Sequence, residues 1–420
     1  MPATISPSLQ QRMNAVPNDE PIPVIVRRKE GTFSARAATR GLPPSPSEPS
    51  FTLIPAEATR MTPADIAALS QTEDVEHVWP DLPVHTCLNT SVPKISVPRV
   101  WSEAGLRGQG IKVAVVDTGL DDSHPDFAGR VIAMKSFVSD SARDDNGHGT
   151  HVAGTIAGSG AKSGGKYVGV APEATLYIAK VLRANGSGSM SSVMAGIEWA
   201  VLEQGVQIIN LSLGGSGPCD GTDALSTLVD EAVRQAGVVV CVAAGNEGPE
   251  ERTIGSPGCA RYVITVGAMT DTDLIARFSS RGPTADGRTK PDIVFPGVGV
   301  IAPQAAGTRL GTVIEDGYVA SDGTSMATPH ASGVAALMLQ ANPQLNAEQV
   351  KTLMLAGAVS IGAQPNEQGV GRGDAYLAYQ KAIAALPEPP PTPQPEPQPQ
   401  PEPQPQPQPP GCLASLFGRR

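Results

Sequence analysis

The sequence of 420 residues predicts an α/β domain whose parallel sheet is covered by helices on both faces. Five near-continuous apolar runs of strand length, at 111–116, 175–181, 206–213, 238–244 and 262–267, are the first observation. Helical patterns are the second, and they lie at 191–203, 222–235, 331–340, 346–356 and 375–385. Continuous apolar strands alternating with helices are typical of a sheet buried on both faces. In such sheets the functional residues gather at the carboxyl ends of the strands.

A small α+β unit is predicted before this domain. Residues 22–28 and 51–55 resemble strands, and 75–81 resembles a closing strand. A helix is expected between them, because Thr62 is a good cap and Pro63 suits the first helical position. The predicted boundaries are a disordered segment at 1–20, the α+β unit at 21–86, the α/β domain at 87–386 and a tail at 387–420.

The tail differs in composition from everything before it. Pro, Gln and Glu fill most of 387–410, a composition that cannot bury a core and predicts an extended polyproline-type spacer. Such a spacer could reach on the order of 70 Å. The apolar and basic end at 411–420 is interpreted either as a frayed terminus or as a tethering or processing tag.

Charge and hydropathy narrow the possible partners. A net charge of −10 and a pI near 5.2 argue against nucleic acid as the main partner. The sequence contains no apolar run of the length that crosses a bilayer. The N-terminal residues lack the apolar centre of a conventional secretory signal, so the sequence does not assign a compartment.

The five cysteines, Cys87, Cys219, Cys241, Cys259 and Cys412, match no zinc-binding spacing. Cys241 lies in an apolar run and is expected to be a buried core thiol. Cys219 and Cys259 both lie in loops that contain Gly and Pro. These two could pair with each other, but the sequence alone favours free thiols.

Four polar residues are the candidates for chemistry. Ser325 lies at the mouth of a helix, where free N–H groups favour negative charge on a nearby oxygen. Asp117 and Asn246 each follow a buried strand, and His148 is flanked by glycines that allow a chain to approach closely. Taken singly, each has an ordinary explanation: an N-cap serine, two turn residues and, with His151, a metal-binding histidine pair.

The order Asp, His, Ser along the chain is that of subtilisin, and the surrounding motifs resemble the subtilase family of serine endopeptidases, peptidase family S8. The matching motifs are Val-Val-Asp-Thr-Gly at Asp117, His-Gly-Thr-His-Val-Ala-Gly-Thr at His148, Ala-Ala-Gly-Asn-Glu-Gly at Asn246 and Gly-Thr-Ser-Met-Ala-Thr-Pro-His at Ser325. The resemblance covers about 90–385 and implies a subtilisin-like fold.

The resemblance also implies a role for each residue. Ser325 attacks the substrate carbonyl, His148 transfers the proton, and Asp117 orients the imidazole. The Asn246 side chain and the Ser325 backbone N–H are expected to face the oxyanion. The family assigns the base to the first histidine of the motif, so His151 is expected to be structural.

Two backbone walls are expected to bind an extended peptide substrate by strand-like hydrogen bonds, which favours broad specificity. Gly255 is expected at the base of the first specificity pocket, where a glycine leaves room for a large apolar side chain. The resemblance gives the wall residues as Ser212, Leu213 and Gly214 on one side and Ala243, Ala244 and Gly245 on the other.

No cofactor is expected for the chemistry, and a structural calcium ion is an option at Asp126. This position ligates calcium in many family members. The partner loop at 158–167, however, carries two lysines and neither a carboxylate nor an asparagine. Asp220 or Asp223 could serve another calcium site, since calcium prefers several oxygen ligands.

The α+β unit resembles a subtilase propeptide by pattern and position. The resemblance implies that it assists folding and then acts as an intramolecular inhibitor. Self-cleavage is expected between about Asp81 and Ser91, and the full-length chain would be a zymogen. The family is usually secreted.

Two other classes of function are kept as alternatives. A non-catalytic binding module could keep the fold and use the proline-rich tail as an adaptor, although all four catalytic positions are filled. A metal hydrolase could use His148 and His151, although their spacing lacks the acidic partner of the known zinc motif. The leading hypothesis is an active endopeptidase that acts on polypeptides.

Overall fold

A computed structural model describes residues 4–5, 7–29, 50–51, 56–80 and 90–386. The chain divides into two units, Met1–Leu386 and Pro387–Arg420, and the second lies outside the described residues. The polyproline prediction, the segment expected to be cleaved and the thiols of Cys87 and Cys412 also lie outside them. In the part that is described, no helix has both the length and the apolar character needed to cross a membrane.

The N-terminal sheet has five strands in the order β1-β5-β2-β4-β3. Its pairs are antiparallel except for β1 beside β5. It packs with two helices around a core of its own that includes Leu9, Val24, Ile66 and Val78. The elements are β1 (Thr4–Ile5), α1 (Pro7–Ala15), β2 (Ile22–Arg28), β3 (Ser50–Phe51), β4 (Ala56–Met61), α2 (Pro63–Leu69) and β5 (Val75–Pro80).

One expectation for this unit was wrong, and one local prediction is confirmed. The segment expected to be disordered contains α1, because Leu9 and Met13 lie on one helical face and are buried in the core. Of the strand expected at 51–55, Phe51 belongs to β3, and 52–55 lie outside the described residues. The Thr62 cap is present, with Thr62 Oγ1 accepting from the Asp65 N–H at 3.2 Å.

The central sheet of the predicted α/β domain is parallel throughout, which confirms the predicted fold class. Its seven strands run in the order β12-β11-β10-β9-β6-β8-β7. The strands are β6 (Lys112–Asp117), β7 (Val131–Ser136), β8 (Thr175–Lys180), β9 (Ile208–Leu211), β10 (Val239–Ala243), β11 (Ile264–Met269) and β12 (Ile293–Pro296). A second, antiparallel sheet consists of β13 (Val300–Pro303), β14 (Thr312–Glu315) and β15 (Tyr318–Ser321).

Helices cover the central sheet and supply most of the remaining core. Helix α8 crosses strands β9 to β12 and also packs against α5, while α6 and α7 pack against β6, β8 and β10. The helices are α3 (Ser91–Lys94), α4 (Val97–Arg99), α5 (His148–Ala157), α6 (Met190–Glu198), α7 (Ala224–Ala236), α8 (Thr324–Ala341), α9 (Ala347–Ala356), α10 (Pro365–Gln368) and α11 (Ala375–Ala384). Single turns lie at Val100–Ala104, Pro125–Phe127, Ala161–Ser163 and Trp199–Glu203.

The carboxyl edge of the sheet brings the predicted residues together. Strands β6, β9 and β10 are neighbours in the sheet and point in the same direction. Asp117 is the last residue of β6, Ser212 follows β9 directly, and Asn246 lies three residues after β10. These candidate residues therefore lie at the carboxyl ends of neighbouring strands.

Candidate active site

The first contact of the site joins Asp117 to His148. His148 begins α5, and its Nδ1 lies 2.7 Å from Oδ1 of Asp117. The same oxygen accepts from the Thr118 N–H at 2.7 Å. The Asp117 carboxylate has no exposed surface, whereas the His148 side chain is 19% exposed. The Nδ1 edge of the imidazole is therefore held by a buried carboxylate, while the rest of the ring still reaches the surface.

Opposing effects act on the His148 pKa, and the net result is a pKa above the ordinary value. Burial opposes the charged imidazolium, but attraction to Asp117, their hydrogen bond and the more distant charge of Asp144 outweigh it. His151 behaves differently, because burial lowers its pKa to about 4. The ring of His151 lies 2.9 Å through Nε2 from the Val300 carbonyl oxygen, so this nitrogen carries the proton.

The geometry does not favour the alternative of a metal bound by His148 and His151. One ring nitrogen of each is engaged by Asp117 and by Val300, respectively. Over the described ranges, the only group of three side chains spaced to hold a metal is Cys219, Asp223 and Cys259.

Ser325 is the second residue of α8 and lies at the surface of the same cleft. Its hydroxyl donates to the Ser212 carbonyl at 3.0 Å, and the Ser212 hydroxyl donates back to the Ser325 carbonyl at 2.8 Å. Within 90–386, no hydrogen bond joins the Ser325 hydroxyl to His148. The first turn of a helix leaves the Ser325 N–H without a helical acceptor, so it remains available to a ligand.

Asn246 lies beside the serine with its amide orientation fixed. Its Oδ1 accepts from both the backbone N–H and the hydroxyl of Thr324, each at 2.9 Å. The oxygen end of the amide is thereby tied to the residue that precedes Ser325. The NH₂ end is left to donate, and Asn246 lines the cleft with Ser325 and His148.

The cleft has a volume of about 720 Å³ and contains most of the predicted wall residues. Ser212, Leu213 and Gly214 line one side, and Ala243 and Gly245 line the other. Ala244 does not line it, which corrects the prediction. Successive residues of an extended chain face opposite sides, and Ala244 packs instead beneath the wall against residues that include Ile254 and Cys259.

A further stretch of the cleft was not predicted from the sequence. Leu182, Val193 and the segment 186–190 line it together with the two walls. The segment is rich in Gly and Ser and leads into α6, whose N-cap Ser189 accepts from the Ser192 N–H. A polar loop that ends in a helix cap at the edge of a parallel sheet was the available signal.

Gly255 is required for a reason other than the expected one. A Cβ at this position would lie 1.8 Å from the carbonyl oxygen of Gly215. The two loops approach this closely because the Gly215 N–H donates to the Ser256 carbonyl at 2.8 Å. The glycine therefore allows the two sides of the cleft to join through their backbones.

A disulfide joins Cys219 to Cys259, so the expectation of two free thiols was wrong. The two loops also share a backbone hydrogen bond from the Cys219 N–H to the Ile254 carbonyl. Cys241 is a buried free thiol, as predicted, and burial raises its pKa to about 12. Because both cysteines are in the disulfide, they offer no thiolates to a metal beside Asp223.

Removing this disulfide is expected to lower the free energy of unfolding by about 2–4 kcal/mol, because the cross-link closes a long loop in the unfolded chain. The variant is Cys219→Ala with Cys259→Ala, compared by urea unfolding in a Ser325→Ala background that prevents autolysis. A reductant should destabilise the parent by a similar amount and leave the double variant unchanged. Equal midpoints for parent and variant under oxidising conditions would contradict this prediction.

The surroundings of Asp126 do not fit the calcium site considered from the sequence. The carboxylate is fully buried, and both oxygens lie 2.9 Å from the Tyr318 hydroxyl. Oδ1 also accepts from the Lys162 N–H at 3.1 Å. These neighbours are donors, whereas calcium requires additional oxygen acceptors around it.

The two other aspartates considered for calcium are engaged in local structure. Asp223 caps α7 and also accepts from the Ser226 and Ser256 hydroxyls. Asp220 accepts from the backbone N–H and the hydroxyl of Thr222.

The sequence is similar to known proteins over most of its length. Residues 108–371 match the Subtilase family, peptidase S8. Serine protease AprX of Bacillus subtilis (strain 168) is 40% identical over 347 residues, which cover 76% of this chain and 78% of that protein. Subtilisin DY of Bacillus licheniformis is 40% identical over 275 residues, covering 64% and 91%. An intracellular serine protease of Paenibacillus polymyxa is 39% identical over 314 residues, covering 70% and 86%.

The chain therefore belongs to the subtilase family. It is a serine-type endopeptidase, a class that needs no cofactor for its chemistry.

Proposed function

We propose that this chain cleaves extended polypeptides through Ser325, His148 and Asp117, with Asn246 as an oxyanion donor. The observation that carries the proposal is the 2.7 Å contact between His148 Nδ1 and Asp117 Oδ1 in the wall of a cleft that also holds Ser325 and Asn246. A nucleophile, a base, an orienting acid and an amide donor are the four groups that acyl transfer needs.

In the proposed reaction the Ser325 hydroxyl turns from the Ser212 carbonyl towards Nε2 of His148. Its proton passes to Nε2 as Oγ bonds to the substrate carbonyl carbon, and Asn246 and the Ser325 N–H bind the resulting oxyanion. The C–N bond then breaks as Nε2 gives that proton to the leaving amine. A water molecule repeats the sequence on the acyl-enzyme, releasing the carboxylic acid and regenerating the serine.

Broad specificity is proposed because the cleft offers mostly backbone and small side chains. The two walls are the stretches 212–216, Ser-Leu-Gly-Gly-Ser, and 243–247, Ala-Ala-Gly-Asn-Glu, in which all residues except Ala244 line the cleft and only Leu213, Asn246 and Glu247 have larger side chains. Backbone hydrogen bonds to an extended peptide do not depend on its side chains. We therefore expect the enzyme to cleave unfolded proteins at many different sequences, without a strong preference for one motif.

The N-terminal unit is proposed to be a propeptide that inhibits the enzyme until it is removed. One feature supports this: the described residues between Thr4 and Pro80 form a sheet and a core of their own. We propose that the enzyme cuts its own chain between about Asp81 and Ser91.

Labelling with a sulfonyl fluoride tests this function. The reagent should abolish casein hydrolysis by the processed enzyme, and peptide mapping should locate one sulfonyl group on Ser325. A chelator should leave the initial rate unchanged. Processed protein that neither reacts with the reagent nor cleaves casein would favour the binding-module alternative.

The pH dependence of kcat/KM should report the raised pKa of His148. The base must be neutral to accept the serine proton, so the rate falls as pH drops through this pKa. Because the pKa is raised, the acid limb should lie above 6.5, the ordinary histidine value. Activity that persists undiminished at pH 4 would contradict the assignment of His148 as base.

Replacing Asn246 with aspartate isolates its donor function. A carboxylate can still accept from the N–H and the hydroxyl of Thr324, but it cannot donate to an oxyanion. We expect kcat to fall by at least about 10²–10³, the loss known for the equivalent asparagine of subtilisin, with little change in KM. An Asn246→Leu variant should fall similarly; a kcat within tenfold of wild type in both would remove the residue from the proposed oxyanion site.

A further inference from the structure

A buried carboxylate that the proposed reaction does not use lies just before the histidine helix. Asp144 is 2% exposed and receives five hydrogen bonds. Its Oδ1 accepts from the Thr118 hydroxyl at 2.9 Å and from the N–H groups of Asn146 and Gly147 at 3.0 and 2.8 Å. Its Oδ2 accepts from the N–H and the hydroxyl of Thr150 at 2.9 and 2.7 Å. One side chain thus organises the whole turn that leads into α5.

Thr118 extends this network to the strand that carries the catalytic aspartate. It directly follows Asp117, and its hydroxyl donates to Asp144 while accepting from the Gly149 N–H at 2.8 Å. Gly149 directly follows His148. The neighbours of both catalytic residues are therefore tied to one hydroxyl and one carboxylate. A shift of that pair would move Asp117 and His148 relative to each other.

We propose that Asp144 is a positioning residue that fixes the start of α5 against the end of β6 and places a second negative charge near His148. The inference rests on the proposed function of His148 as the base. Asp144 acts through the histidine and does not touch substrate, because its oxygens are occupied by Thr118, Thr150 and the turn amides.

The charges around His148 determine the direction in which its pKa should move when Asp144 is replaced. Asp117 and Asp144 both attract a proton to His148, and burial opposes it. His151 on the same helix stays neutral at working pH because burial lowers its pKa to about 4. Lys180, on β8, is compensated by Asp145 at 2.6 Å. Removing the Asp144 charge should therefore lower the pKa of His148.

Two variants distinguish the effect of the Asp144 charge from the effect of the hydrogen bonds that anchor the turn. Asp144→Asn removes the charge, and its NH₂ cannot accept from Thr150, so the turn also loosens. Thr118→Val keeps the charge but removes the hydroxyl that bridges strand and helix. Asp140→Asn is the matched control, because this exposed carboxylate lies in the same loop. The readouts are kcat/KM against pH on one peptide and, in a Ser325→Ala background, the NMR titration of the His148 ring.

For Asp144→Asn we expect a plateau kcat lower by roughly 10- to 10²-fold, since small misplacements of catalytic groups cost this much. Its acid limb and its ring titration should both move to lower pH. Thr118→Val should lose kcat with a smaller shift of the acid limb than Asp144→Asn, because the Asp144 charge remains, and Asp140→Asn should match wild type.

An Asp144→Asn enzyme with wild-type rate and limb would overturn the inference. A lower kcat with an unmoved ring titration would overturn the proposed charge effect. Because the NMR titration needs no activity, its result can be separated from a failure of His148 to act as the base. If Asp144→Asn does not fold, Thr118→Val still decides the anchoring, and an unchanged kcat there would contradict it.

Discussion

Replacing Ser325 with alanine is expected to lower kcat by about 10⁶, the size of the loss known for the equivalent serine of subtilisin. The hydroxyl supplies both the bond to the acyl group and the proton taken by His148, so nothing else in the cleft replaces it. The substitution removes a hydrogen bond to the Ser212 carbonyl but leaves the start of α8 otherwise unchanged. Stability should therefore change little.

The same variant tests the proposed zymogen. Wild-type protein should convert from full length to a form that begins near Asp81 to Ser91, whereas Ser325→Ala should stay intact. Ser191→Ala, an exposed hydroxyl outside the cleft, is the control and should process normally. Cleavage of the alanine variant at the same rate, in protein free of other proteases, would contradict self-processing.

Replacing Asp117 with asparagine is expected to cost roughly 10⁴ in kcat. Oδ1 of the aspartate accepts from both His148 and Thr118, while Oδ2 is buried without a protein partner in the described part of the chain. An amide in this place loses the charge that stabilises the imidazolium. If its NH₂ turned towards Nδ1, it would also require the wrong tautomer of the ring.

The loss should be accompanied by a change in pH dependence. Asp117 is one of the charges that raise the pKa of His148, so its removal should shift the acid limb of kcat/KM to lower pH. Asp122→Asn removes an exposed charge from the loop after β6 and serves as the control. If kcat of the Asp117→Asn enzyme were within tenfold of wild type, the carboxylate would neither orient the imidazole nor stabilise its charged form.

The sequence predicted the centre of the sheet better than its edges. The five apolar runs correspond to β6, β8, β9, β10 and β11, which are the five inner strands. Both edge strands, β7 and β12, were missed. β7 is only partly buried, and its apolar run of four residues ends before Lys135 and Ser136, while β12 is buried but only four residues long and ends in Pro296. Exposure weakens the apolar signal of β7, and the four residues of β12 are too few to show a pattern.

The candidate site shows the same contrast between local and long-range information. The motifs at Asp117, His148, Asn246 and Ser325 were readable because each is set by the strand end or helix start beside it. The partner of Asp126 was not, because Tyr318 is 192 residues away on a hairpin of the second sheet. The pairing of Cys219 with Cys259 was unpredictable for a related reason, since spacing alone does not determine which thiols meet.

A crystal structure of the processed enzyme with a peptide aldehyde tests the central claim most directly. The account predicts a covalent bond from Ser325 Oγ to the aldehyde carbon. It also predicts that the resulting oxygen lies about 2.7–3.1 Å from both Asn246 Nδ2 and the Ser325 nitrogen, with His148 Nε2 in contact with Oγ. A peptide bound in the cleft without that bond, or an adduct whose oxygen points away from Asn246, would contradict it.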